Sequence, residues 1–132
     1  MIQGVHTMFY SSQPEAMRAF LRDVLGFPWS DVGGGWLIFD LPEADMGVHP
    51  ADPPNPSAPS HAAPNQTPAG THAISFYCRD IQSTVAELKA KGVEFTMGIE
   101  DHGYGLVTHF KMPGEVVVQL YQPHYQKRSG SK

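Results

Sequence analysis

The chain has a single cysteine, Cys78, among 132 residues. One thiol cannot close an internal disulfide, and its apolar setting marks it as a small buried hydrophobe. Basic residues are also few, with nine Lys and Arg against thirteen Asp and Glu. Without a basic stripe interleaved with aromatics, the sequence excludes nucleic acid and anionic membranes as partners. No apolar run approaches the roughly 20 residues of a membrane span, and the first residues lack the basic-then-apolar order of a signal peptide. A soluble, cytoplasmic protein is the expectation.

What the chain does contain is an internal echo. His6-Thr-Met-Phe-Tyr and His72-Ala-Ile-Ser-Phe-Tyr begin 66 positions apart, half the chain length, and Leu25-Gly26-Phe27 stands at the same distance from Lys91-Gly92-Val93. A repeat of this kind indicates a duplicated unit. Halves of about 65 residues bury too little surface to stand alone, so they are expected to share one core.

The pattern of each half is strand, helix, strand, strand, strand. In the first, the spacing predicts a strand over 2–11, then a capping box at Ser12-Gln13-Pro14-Glu15. The following helix buries Met17, Phe20, Leu21 and Val24 and is stopped by Gly26. Strands are expected over 28–32, 36–41 and 46–49. Gly33-Gly34-Gly35 reads as a turn, because no helix start or Lys-Ser/Thr follows to make it a phosphate loop. Residues 51–70 hold six prolines and no apolar period, the composition of a linker outside the core, with His61 solvated.

In the second half, a strand over 71–78 leads to a helix capped by Asp80, with Ile81, Val85 and Leu88 on its buried face and Gly92 at its end. Strands follow over 93–97, 106–112 and 115–121, with a glycine-rich loop at 100–105 and a type II turn at Pro113-Gly114. The domain plan is therefore a first module over 1–50, a linker over 51–70, a second module over 71–125 and a frayed tail over 126–132.

This pattern, with His6-Thr-Met and Leu25-Gly26-Phe27 downstream, resembles the vicinal oxygen chelate superfamily. That group includes glyoxalase I, extradiol dioxygenases, fosfomycin resistance enzymes and metal-free bleomycin-binding proteins. The resemblance implies an α+β fold of two tandem βαβββ modules whose curled sheets enclose a shared cavity, commonly in a homodimer. It also implies a divalent metal (Zn, Fe, Ni or Mn) at four positions, which fall on His6, His49, His72 and Gln119. No separate organic cofactor is implied.

At the last position relatives most often carry glutamate. An amide coordinates weakly through oxygen and cannot act as a general base at neutral pH, so Gln119 disfavours the usual glyoxalase I mechanism. Proton transfer would then fall to neighbours, and His102, Tyr104 and His109 are the candidate catalytic residues, with Tyr121 lining the cavity. Three neutral imidazoles leave a bound divalent ion its full charge, suited to a Lewis acid. The resulting expectation is a metal-dependent enzyme acting on a small oxygenated metabolite. The alternative is a metal-free protein that sequesters a small molecule.

Overall fold

The computed structural model describes residues 1, 6–48, 50–51, 69–70 and 72–125. His49, most of the expected linker and the tail from Gln126 lie outside the described residues. The first helix, α1, spans Pro14–Ala19 and continues as a π-helical turn, Phe20–Val24. Proline suits the first helical position, since it lacks the N–H that would have no partner there. The expected capping box does not form: the cap residue is Gln13, and no side chain caps the helix. Instead Ser11 Oγ accepts from Gln13 N at 3.0 Å. Met17 and Leu21 are buried as expected, while Phe20 and Val24 are partly buried against the same core.

The hairpin of β1 (Trp29–Asp31) and β2 (Leu37–Phe39) follows. Its turn is the triple glycine. Asp31 Oδ1 accepts from Gly33 N and Gly35 N, and all three glycines have positive φ. Arg18 lies 4.6 Å from the Trp36 ring and Arg22 6.0 Å from that of Trp29, two cation–π contacts that tie the helix to the hairpin.

The second half carries β3 (Ser75–Tyr77), α2 (Ile81–Ala90), β4 (Glu100–Asp101), β5 (Gly105–Met112) and β6 (Val116–Pro123). These strands form one sheet in the order β3-β6-β5-β4, parallel at β3/β6 and antiparallel elsewhere. Asp80 Oδ1 caps α2 by accepting from Ser83 N, and Gln122 Oε1 accepts from Ile81 N at 2.9 Å, so the first turn is held from two sides. At the far end Gly92 takes φ 88°, with Val93 N donating to Leu88 O and Gly92 N to Lys89 O, the Schellman arrangement.

Several strands expected from the sequence are shorter or absent. Residues 6–11, 46–48 and 72–74 form no regular strand, and 93–97 contributes a single bridge, Phe95 to Phe110. Periodicity registers which side chains alternate, but it cannot show whether a neighbouring backbone is there to pair with. One face of the larger sheet, with Phe76, Phe110, Met112, Val118 and Leu120, packs on Met17 and Leu21 of the first helix and Ile81, Val85 and Leu88 of α2.

The π turn lengthens the first helix relative to α2. Leu25 N donates to Phe20 O, five residues back, so this turn holds one residue more than an α-helical turn. Accordingly the helix caps Gln13 and Asp80 are 67 positions apart, whereas Gly26 and Gly92 are 66 apart.

The halves are joined where the start of α1 meets the β5–β6 turn. Ser12 N donates to Gly114 O at 3.1 Å and Ser11 Oγ to Pro113 O at 2.7 Å. That turn has three residues rather than the expected two, with Gly114 and Glu115 both at positive φ. A Cβ on Gly114 would overlap Ser11 Oγ and sit 2.6 Å from Gln13 N. Adding the left-handed backbone cost to the steric one, Gly114→Ala is expected to lower stability by about 2–4 kcal/mol in urea unfolding. An unchanged midpoint would show that this junction does not hold the halves together.

Candidate functional site

Side chains alternate across a sheet, so the face turned away from the core can be read from the register. Ser75 pairs with Gln119 and Gln119 with His109, which places these three in one row across β3, β6 and β5. The next row is Tyr77, Tyr121, Val107 and Glu100. Strand spacing makes this platform about 10 Å wide over three strands, with the two rows about 7 Å apart.

The second row is closed by aromatic and acidic neighbours. The Tyr104 ring meets Tyr121 edge-on at 6.1 Å and His102 in the same manner at 6.1 Å. Tyr125 Oη donates to Asp45 Oδ2 at 2.8 Å, and the Tyr121 hydroxyl is hydrogen-bonded to the Tyr125 hydroxyl. Because the Tyr125 proton goes to Asp45, the Tyr121 hydroxyl is the donor between the two phenols. Val107 is fully buried beneath this group. Glu43 adds a hydrogen bond to Tyr77 and lies 3.5 Å from Arg79 Nη2.

These contacts control protonation. Burial, followed by the hydrogen bond and charge of Glu43, pushes the Tyr77 phenol up to about 12. Tyr125 is also raised, first by Tyr121 and then by burial and Asp45. Both remain neutral donors at physiological pH. At the rim, Gly103 N and then His124 hold the Asp101 carboxyl below its ordinary range, and His102 Nε2 lies 3.1 Å from Glu100 Oε1.

Over residues 4–120 the chain matches the family model for the Glyoxalase/Bleomycin resistance protein/Dioxygenase superfamily. The chain belongs to this superfamily. Its fold is similar to that of TnmS3, an antibiotic binding protein from Streptomyces sp. CB03234, with TM-score 0.56 and 22% identity over 93% of this chain and 99% of that one. It is also similar to a lactoylglutathione lyase from Agrobacterium tumefaciens, with TM-score 0.53 and 19% identity over 88% of this chain and 90% of that one. No curated protein matches the chain.

Within the superfamily fold, the residues expected to act divide into two groups. Tyr104, Tyr121, His109 and Gln119 come to the platform, with His102 at its rim. His109 Nδ1 is 2.8 Å from Met97 Sδ, which leaves Nε2 as its other polar atom. His6 and His72 are both exposed, and His49 lies outside the described residues. Among the described residues no three His, Cys, Asp or Glu side chains gather as a metal-binding group. Gln119 supplies a neutral amide flanked by Ser75 and His109, so the donor set on the described platform does not fit a divalent metal.

Tyr77, Tyr125, Glu43 and Asp45 were not expected at the site. For Tyr77 the alternation Ser75-Phe76-Tyr77 was the available signal, once β3 was aligned with Gln119. Asp45 and Tyr125 meet across 80 positions of sequence, and no local pattern marks such a pair. Cys78 is half-buried against the core, with its thiol raised by burial.

The raised phenols carry a pH signature. Unfolding returns Tyr77 to the ordinary value near about 10, so its contribution to stability is complete below that pH and is lost as pH rises through about 12. Urea unfolding between these limits should show falling stability, with a shallower fall in Tyr77→Phe. Equal alkaline slopes in the two proteins would remove Tyr77 from this network.

Proposed function

We propose that the protein binds a small, flat, oxygen-bearing organic molecule against the open face of the larger sheet. The observation that carries this reading is the platform itself. Gln119, Ser75 and His109 provide a row of hydrogen-bonding groups, and Tyr77, Tyr121 and Tyr104 provide aromatic surface beside it. A few placed polar groups within aromatic surroundings make a small-molecule site, with the polar groups fixing orientation. The about 10 Å width suits a molecule of two or three fused rings. Tyrosine supplies such contact at low entropic cost, because it has only two side-chain torsions to immobilise.

Superfamily membership supports a small-molecule ligand without choosing between binding and catalysis. The antibiotic binding of the Streptomyces protein agrees with the binding reading. The lyase reading asks for a proton acceptor and an electrophile at the reacting carbon. His109 and Glu100 are the platform residues with the chemistry of an acceptor, and Gln119 occupies the place where relatives most often carry glutamate.

Isothermal titration with a panel of neutral bicyclic and tricyclic quinones and phenols tests the proposal. At least one class is expected to bind and to raise the melting temperature. Tyr121→Ala should weaken that binding at least about tenfold, the loss of roughly 1.4 kcal/mol, while Trp36→Ala, in the connection between β1 and β2, should not. Equal binding by wild type and Tyr121→Ala would move the ligand off this face.

A further inference from the structure

We propose that the histidine repeat is out of phase with the fold, so that Ala73, not His72, occupies the place in the second half that His6 occupies in the first. Two independent counts lead there. The first starts from the core: the Phe9 and Phe76 rings meet at 6.0 Å, and both pack against the buried cluster. Phe9 and Phe76 are 67 positions apart. His6 is three residues before Phe9. His72 is four residues before Phe76, one more than separates His6 from Phe9.

Ala73 is three before Phe76 and two before Ser75, the partner of Gln119. The second count starts from the helices. Gln13 caps α1 seven residues after His6, and Asp80 caps α2 seven residues after Ala73. Both counts give a spacing of 67. The spacing returns to 66 only beyond the π turn, where the extra residue of α1 is absorbed. The equal spacing of the histidines and of the stop glycines therefore arises from different causes.

A one-residue slip carries a side chain to the other face. With an apolar methyl at 73 and a neutral amide at 119, His6 has no duplicate imidazole at the corresponding place in the second half. Borderline divalent ions are held by three or four donors converging on one point. His72 then takes no part in metal binding, and the polar atoms of Gln119, Ser75 and His109 stay available for hydrogen bonding to an organic ligand.

The test uses the full chain without a histidine tag, titrated with Zn²⁺ and separately with Ni²⁺ against a chelating dye. His72→Ala is expected to bind both ions as wild type does, whatever that affinity is. Ala73→His should bind at least about tenfold more tightly than wild type, the scale on which ligand-sphere changes act. Adding His6→Ala to Ala73→His should cancel the gain.

Weaker binding in His72→Ala would overturn the proposal. So would a folded Ala73→His protein without the gain, or a gain that survives His6→Ala. Ala73 is exposed, so its replacement is not expected to unfold the chain, and circular dichroism checks this. These outcomes are distinct from failure of the small-molecule reading, which the quinone titration of Tyr121→Ala decides.

Discussion

The antiparallel pairing of β5 with β6, unbroken from Gly105/Pro123 to Met112/Val116, is the constraint on which the rest depends. Pairing determines register, and register decides which side of the sheet each residue faces. Thr108, Phe110 and Met112 are thereby committed to the side that the helices cover. Val107, His109 and Gln119 are committed to the other. Adding β3 in parallel to β6 brings Ser75 and Tyr77 into the same rows, so a residue of one element acquires a site neighbour that its own sequence does not indicate.

Helix attachment follows from the same sheet. Gln122, on β6, accepts from Ile81 N and thus holds the start of α2 on the strand that carries Gln119 and Tyr121. The β5–β6 turn holds the start of α1 through Gly114 and Pro113. Both helices are therefore anchored to one hairpin, and the core between them is closed by the apolar side of that hairpin. The other side carries Ser75, His109 and Gln119 beside the fully buried Val107, so polar residues and buried apolar surface share it.

The polar residues on that side do not behave as isolated charges. Tyr121 donates to Tyr125 and Tyr125 to Asp45, while Tyr77 is held by Glu43 and burial. Tyr77 and Tyr125 are neutral and Asp45 accepts from Tyr125, an arrangement in which paired polar groups can be partly removed from water at modest cost. A ligand meeting this surface encounters ring edges and already oriented hydroxyls. It does not have to order long flexible side chains on binding.

The sequence alone determined the helix ends at Gly26 and Gly92, the Asp80 cap, the apolar stripe of α2, the glycine turn and the two long C-terminal strands. Each rests on short-range chemistry: a backbone that needs positive φ, a side chain reaching three residues on, or an alternation of period two or 3.6. Gln119 was legible as a site candidate through the family resemblance, and Tyr104, Tyr121 and His109 as polar or aromatic residues in or beside apolar strands. Tertiary structure decided what lies opposite what. It paired Gln119 with Ser75 and His109, brought Asp45 to Tyr125, and left residues 6–11 and 72–74 without regular pairing. It also revealed the π turn, because the hydrogen bond that widens a helix by one residue leaves no mark on the apolar pattern around it.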